Sequence, residues 1–169
     1  TSADFDYLDN LKISEDFQAT ITKALKNKAD IYTDTNMALS GINKSALSKL
    51  GISVKCYVSE PKTAEIAKEK GITRSMASVL RKKEKKKDKI LVVGNAPTYL
   101  FQAMEEIQKG DTSIKAIIGV PVGFVGAAES KDYLSKFDIP HIAALGRKGG
   151  SNIAAAIVNA VLYQMVERD

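Results

Sequence analysis

The stretch ILVVGNAPTYLF, residues 90–101, joins a short apolar run to the start of an amphipathic helix. Ile90–Gly94 has the length and β-branched content of a buried strand. Pro97 suits the first turn of a helix, where its missing N–H leaves no hydrogen bond unmade, and the helical pattern continues to a stop at Gly110. The segment therefore predicts one strand-loop-helix unit of a parallel sheet.

The same alternation of short apolar runs and longer amphipathic stretches recurs along the whole chain. Such a pattern is typical of an α/β fold in which helices cover both faces of a parallel sheet. About five strands are predicted in total. The other four are Ile31–Thr33, Ile52–Val58, Ala116–Val120 and His141–Leu145.

Capping residues and turn formers mark the other predicted helices. Ser14 is expected to cap a helix over residues 15–28, and Pro61 to open a helix that Gly71 closes. No linker or repeat divides these units, so the 169 residues predict a single domain. Further helices are predicted over about 73–86, Ala128–Phe137 and Ser151–Val166.

Composition argues against several classes of protein. The net charge of +5 comes from one run, Arg81–Lys89, with seven cations and two acids. No aromatic residue interleaves these lysines, so we interpret the run as a solvated helix end and expect no nucleic-acid partner. A single cysteine, Cys56, fits a buried strand residue in a reducing cytoplasm, and no His/Cys series has metal-ligand spacing.

The longest apolar stretch, Ile153–Val166, is shorter than the roughly 20 residues that span a bilayer, and it is interrupted by polar residues. A soluble protein with no membrane partner is expected. His141, the sole histidine, follows a proline at the start of an apolar strand, and we interpret it as structural.

Ligands bind parallel sheets beyond the carboxyl ends of the strands, which directs attention to four loops. In PVGFVGAAES, residues 121–130, Gly123 and Gly126 could bring backbone amides close to a ligand, or could serve only a tight turn. Their spacing matches neither the dinucleotide fingerprint nor the Walker loop. This mismatch weakens the generic alternative, a nucleotide-binding domain.

GRKGGS, residues 146–151, has the composition of an anion site. Arg147 and Lys148 lie beside two glycines, and Ser151 is expected to cap the final helix. Arg74, in GITRS (71–75), is predicted at a helix N-terminus, where a cation is electrostatically unfavourable unless it faces an anion. Asn95 and Thr98, like the segment 34–36, could line a pocket or could only form turns and caps.

Six blocks of the sequence carry a further signal: TSADFDY (1–7), DTNMALSGINK (34–44), GITRS (71–75), VVGNAPTYLF (92–101), IIGVPVGFVGAAESKDYL (117–134) and GRKGGSNIAAAIVNAVL (146–162). Together they resemble the precorrin-8X (cobalt-precorrin-8) methylmutase family of cobalamin biosynthesis. The resemblance implies a three-layer, Rossmann-like α/β fold and a homodimer with active sites at the subunit interface. It also implies an isomerase that moves a methyl group from C11 to C12 of the corrin ring, giving hydrogenobyrinate or cobyrinate without a cofactor.

The resemblance assigns substrate-binding roles but no catalytic residue and no metal ligand. In the family, the proposed catalytic histidine immediately precedes the segment that TSADFDY resembles, so it would precede Thr1 and the domain is expected to be N-terminally incomplete. Two readings follow: a truncated methylmutase, or a shortened relative that binds corrinoids without isomerising them. The expected substrate-binding residues are Asn36, Arg74, Ser75, Asn95, Thr98, Gly123, Val125, Gly126, Arg147, Lys148, Gly149 and Ser151.

Overall fold

The computed structural model describes residues 1–81 and 87–166, and within them the backbone forms a six-stranded sheet. The strand order is β1-β6-β5-β4-β2-β3. All neighbouring pairs are parallel except β1 and β6, which are antiparallel. The strands are β1 (Leu11–Ile13), β2 (Asp30–Thr33), β3 (Val54–Lys55), β4 (Lys89–Val93), β5 (Ile114–Gly119) and β6 (His141–Ala144).

Helices connect the strands and cover both faces of the sheet. Two of them begin with proline and two end at a glycine in the left-handed conformation, as the sequence predicts for α5. The helices are α1 (Tyr7–Asn10), α2 (Phe17–Lys26), α3 (Asn36–Gly41), α4 (Lys44–Leu50), α5 (Pro61–Lys70), α6 (Arg74–Val79), α7 (Pro97–Gln108), α8 (Ala127–Ser135) and α9 (Ser151–Tyr163).

Strand β4 shows how the two apolar cores form. Successive side chains of a strand point to opposite faces, so Ile90 and Val92 pack in one core while Leu91 and Val93 pack in the other. The first core lies against α2, α3, α4 and α9, and the second against α7 and α8. The predicted α/β class, with a parallel sheet between helical layers, is confirmed.

Both edges of the sheet differ from the prediction. Strand β1 was not predicted, because only Leu11 of its three residues is even partly buried and the segment carries almost no apolar pattern. The predicted strand Ile52–Val58 is reduced to Val54 and Lys55, since Ile52 already bonds back to Leu47 of α4. Cys56 therefore follows a strand rather than lying in one, and it is half-buried.

Two predicted helix boundaries are also wrong. Ser14 does not cap α2, which begins at Phe17; instead, its hydroxyl accepts a hydrogen bond from His141 N at 2.9 Å and so joins α2 to β6. The helix predicted over 73–86 ends at Val79 within the described residues, and residues 82–86 lie outside them. Arg81, the first cation of the basic run, is buried and pairs with Glu60 at 2.6 Å, so it is not part of a solvated face.

Candidate functional site

Four loops meet where the parallel strands β2, β4, β5 and β6 end. We call this region the strand-end edge and define it as residues 34–35, 94–96, 120–126 and 145–150. Backbone hydrogen bonds join the last two segments directly: Gly150 N donates to Val120 O at 2.9 Å, and Gly123 N donates to Arg147 O at 3.1 Å. The loops that the sequence ranks as informative therefore form one continuous surface.

Asp34 fixes the loop between β4 and α7. Its carboxylate is buried and accepts three backbone hydrogen bonds, from Gly94, Asn95 and Ala96, at 2.9, 2.8 and 2.7 Å. Burial raises the pKa of this carboxyl, and the three amides oppose that rise. Because these amides surround the N-terminus of α7, Asp34 occupies a place where an external anion could otherwise bind.

The N-terminus of α9 packs tightly against the end of β4. A Cβ added at Gly94 would lie 2.6 Å from Ser151 Cα, so only glycine permits this approach. Ser151 was predicted to cap α9, and this is wrong: it is the first helical residue, and Gly150 takes the capping position. The Ser151 hydroxyl is buried and lies 2.7 Å from Thr35 Oγ1, which links α9 to the end of β2.

The two cations of the 145–150 segment have different surroundings. Arg147 is exposed, and its guanidinium carbon lies 5.6 Å from the centre of the Phe124 ring, within cation–π range. Lys148 instead pairs with Asp4 and Asp6, both at 2.6 Å. These carboxylates raise the pKa of the Lys148 ammonium, and the hydrogen bond from Lys148 lowers the pKa of Asp4.

The side chain of Lys148 is therefore already paired with carboxylates in this structure. Its ammonium already faces two carboxylates of the segment 1–7, so a third carboxylate would have to displace one of them. Among residues 1–81 and 87–166, no carboxylate pairs with Arg147, and its guanidinium lies over the Phe124 ring at the open surface. Within the described residues, Arg147 is thus the better placed of the two for binding an anion.

An exposed apolar surface lies beside Arg147. Phe124 and Val125 are 85% and 89% exposed, an unusual arrangement for two consecutive large apolar residues. Gly123 and Gly126, which flank them, have φ angles of +147° and +75°, and these conformations turn the segment outward at the start of α8. The predicted members Gly123, Val125 and Gly126 thus form one projecting loop.

Arg74 begins α6, and the residue before it, Thr73, contacts the first turn of α7. Thr73 caps α6 by accepting from Met76 N at 3.2 Å, and its hydroxyl donates to Thr98 Oγ1 at 3.4 Å. Arg74 itself is exposed, as is Asn95 in the loop before α7. Ser75 is only half-exposed and lies within α6.

Asn36 begins α3 directly after β2. Its side-chain amide donates to Ser59 Oγ at 3.3 Å, which connects α3 to the segment before α5. The predicted residues therefore fall into two groups. The first group, Asn36, Arg74, Ser75, Asn95 and Thr98, lies at the start of α3, on α6 and at the start of α7, and the second group, Gly123, Val125, Gly126, Arg147, Lys148, Gly149 and Ser151, lies around the β5 and β6 loops.

Sequence reasoning missed two buried polar residues that hold this surface. Asp34 was read as an ambiguous strand end, although an acid directly after a buried strand is a usable signal for a loop contact. Lys131 was not singled out, because a lysine in the middle of an amphipathic helix is ordinarily exposed. It is in fact 0% exposed and donates to Lys148 O at 2.6 Å.

His141 lies away from the strand-end edge. It is the first residue of β6, at the opposite end of that strand from the 145–150 segment, and is 6% exposed. Its Nδ1 is 2.7 Å from Ile139 O. Within the described residues, no three His, Cys, Asp or Glu side chains are grouped to hold a metal ion, and no helix has the length and apolarity needed to cross a membrane.

Comparisons with known proteins give a consistent result. The family model described as CbiC, precorrin-8X methylmutase, matches residues 1–164. A cobalt-precorrin-8 methylmutase from Salmonella typhimurium is 52% identical over 168 residues, covering 99% of this chain and 78% of the relative. A precorrin-8X methylmutase from Sinorhizobium is 39% identical over 150 residues, covering 88% of this chain and 71% of the relative.

A solved structure agrees with these sequence relatives. The structure of precorrin-8X methyl mutase from Thermus thermophilus superimposes with a TM-score of 0.85 at 31% sequence identity. The match covers 95% of this chain and 79% of that chain. The similarity thus extends over both groups of site residues and over the sheet that positions them.

Proposed function

This chain belongs to the precorrin-8X methylmutase family, and on that premise we propose that its strand-end edge binds the corrin ring while a methyl group moves from C11 to C12. The protein is an isomerase of cobalamin biosynthesis. The observation that carries the proposed site is the pairing of an exposed cation, Arg147, with the exposed ring of Phe124 at the one edge where four strand-end loops meet.

The substrate's shape explains why these residue types are needed. A corrin ring is a broad apolar disc with carboxylates on its periphery, and Phe124 and Val125 offer apolar surface of the matching kind. Arg147 and Arg74 can each bind a peripheral carboxylate, and a charge-assisted hydrogen bond of this type contributes roughly 1.5–3 kcal/mol. Holding the ring in one orientation is the protein's main task in an intramolecular shift.

The rearrangement is balanced within the substrate: the bond from the methyl group to C11 breaks and a bond to C12 forms, with no net oxidation or reduction. In the family, a histidine just before the segment matched by residues 1–7 is the proposed proton donor. Asp4 and Asp6 bind Lys148 and so hold that segment at the strand-end edge. This contact supports a role for the preceding position in the same site.

A direct assay tests the proposal. The 169-residue chain is mixed with precorrin-8X, and separately with cobalt-precorrin-8, and the visible spectrum is followed for conversion to the product. We expect conversion to be lost in Arg147→Ala but retained in the control variant Lys136→Ala, because Lys136 is an exposed lysine just past the C-terminal end of α8. Binding of hydrogenobyrinate without any conversion would instead identify a non-catalytic corrinoid-binding relative.

That second candidate is favoured by one observation. The sequence contains one histidine, His141, and its ring is buried at the opposite end of β6 from the site loops. A chain limited to these side chains lacks an imidazole at the strand-end edge. Turnover by the chain as it stands excludes this candidate.

We further propose cobalt-precorrin-8 as the preferred substrate. The support is that the relative from Salmonella typhimurium, a cobalt-precorrin-8 methylmutase, is more similar to this chain than the relative from Sinorhizobium. The two substrates differ at the ring centre, whereas Arg74 and Arg147 would address the periphery. Measuring kcat/KM for both substrates side by side decides the preference, and a higher value for the metal-free form would contradict it.

A homodimer is also part of the proposal. Its support is an uncovered apolar surface around edge strand β1, where Phe5, Leu8 and Ile13 are 82%, 80% and 59% exposed. Analytical ultracentrifugation of the chain and of Leu8→Ser tests this assembly. We expect a dimer that weakens in the variant; a monomer at all concentrations would contradict it.

We propose that residues 1–169 form one domain, and that it works in the cytoplasm.

A further inference from the structure

One buried cation, Lys131, contacts the site from beneath but has no role in ligand binding as described so far. Lys131 lies on α8, on the face that also buries Ala127, Ser130 and Leu134, and its side chain is completely inaccessible. Lysines are almost never fully buried unless their ammonium has a polar partner. Here that partner is the backbone carbonyl of Lys148, 2.6 Å from Nζ.

The contacted carbonyl belongs to the peptide between Lys148 and Gly149, directly after the two cations of the site. Arg147 O, one residue earlier, accepts from Gly123 N, and Gly150 N, two residues later, donates to Val120 O. Three hydrogen bonds therefore fasten the 145–150 segment, two to the loop after β5 and one to α8. Only the bond from Lys131 comes from a side chain.

Stability alone does not explain a lysine at this position. Burial lowers the pKa of the Lys131 ammonium to about 8, which shows that the folded protein disfavours this charge. An apolar side chain of similar length would fill the same space without that penalty, and replacing buried charges by apolar groups is often neutral or stabilising. What an apolar residue cannot supply is the hydrogen bond to Lys148 O.

We propose that Lys131 is a positioning residue, which fixes the Lys148 carbonyl and thereby holds the adjacent Arg147 where it binds a carboxylate of the substrate. Only the identity of the ligand rests on the function proposed above. The loop-holding role is a property of the ligand-free protein. The two parts can therefore be tested separately.

Amide hydrogen exchange of the ligand-free chain tests the loop-holding role. In Lys131→Met we expect the Gly123 amide, bonded to Arg147 O, to exchange about tenfold faster, while amides of α2 keep their rates. Lys136→Met is the matched control, because Lys136 lies just past the end of α8 but is exposed and pairs with Asp132. Equal acceleration throughout the sheet and helices would show a general loss of stability and overturn the proposal.

Binding of hydrogenobyrinate tests the effect on Arg147. Lys131→Met is expected to weaken binding about tenfold, and Lys131→Arg is expected to bind more tightly than Lys131→Met. In an Arg147→Ala background, Lys131→Met should weaken binding little further, because the two residues act as one unit. Additive losses would overturn the link to Arg147. If the unsubstituted chain does not bind hydrogenobyrinate, the proposed function fails, while the exchange experiment still decides whether Lys131 holds the loop.

Discussion

The Asp34 carboxylate accepts a hydrogen bond from Ala96 N at 2.7 Å, which joins the ends of β2 and β4 through two residues 62 positions apart in the chain. With the bonds from Gly94 and Asn95, this contact fills the amide-rich N-terminus of α7 with the protein's own negative charge. Backbone amides of that loop are thus not free to bind substrate carboxylates. Under the proposed function, recognition of such groups would fall to side chains, chiefly those of Arg74 and Arg147.

Asp34→Asn is expected to destabilise the fold and release the Asn95 loop. An asparagine offers one acceptor oxygen and turns an N–H donor toward backbone amides, so at least one of the three hydrogen bonds is lost. Leaving a buried group unsatisfied costs roughly 1–3 kcal/mol. Urea unfolding measures this loss, and Asp138→Asn at an exposed position is the control. Equal midpoints for the two variants would contradict the structural role of Asp34.

Gly149→Ala is expected to destabilise the protein more than Gly146→Ala does. Both glycines have positive φ, +156° and +80°, which disfavours alanine by roughly 1–2 kcal/mol. A Cβ at Gly146 meets open space, whereas at Gly149 it collides with the carbonyl of Val120. Denaturant unfolding of the two variants separates the clash from the backbone strain. Equal losses would show that the 145–150 segment moves freely away from β5.

Arg147→Ala is expected to weaken binding of hydrogenobyrinate by roughly 1.5–3 kcal/mol, the contribution of a charge-assisted hydrogen bond. Lys148→Ala should have less than half that effect, because its ammonium already pairs with Asp4 and Asp6. Isothermal titration calorimetry with each variant gives the comparison. A larger loss in Lys148→Ala would mean that substrate displaces these two carboxylates.

Lys131 makes a distinct contribution to the pH dependence of stability. Its pKa is about 8 in the folded protein and about 10.5 in the unfolded chain. Well below pH 8 the Lys131 amine is protonated in both the folded and the unfolded state, and the folded protein then bears the full free-energy cost of burying the ammonium. As the pH rises from about 8 to 10.5, the folded protein loses the proton first, so the unfolded state binds more protons and stability increases.

The test compares the chain with Lys131→Met by urea unfolding between pH 7 and 10.5. Other titrating groups contribute equally to both proteins and cancel in the difference. We expect the difference to shift in favour of Lys131 by about 1–3 kcal/mol across this range. A shift in the opposite direction, or a constant difference, would show that the ammonium is not buried as described.

Local pattern accounts for most of what was predictable. The segment 90–101 predicts β4, the following loop and α7 because its periodicity and its proline are properties of neighbouring residues. The sites at residues 94–98, 120–126 and 146–151 follow from the same logic, since loops after parallel strands converge on one edge. The edge strand β1 escaped prediction because three mostly exposed residues carry no such pattern.

By itself, the sequence determined the α/β class, the order of most elements, the loops of the site and the membership of the family, since all of these are written in contiguous segments. Only the tertiary structure decided which polar side chains of that region are paired, which are exposed and which are buried. The Lys148 ammonium is paired because Asp4 and Asp6, more than 140 residues away in the chain, lie beside it. These two carboxylates do not lie beside Arg147, whose guanidinium stays exposed. Lys131 and Asp34 hold loops because the packing of α8 and the end of β2 buries them against backbone groups that no local pattern identifies.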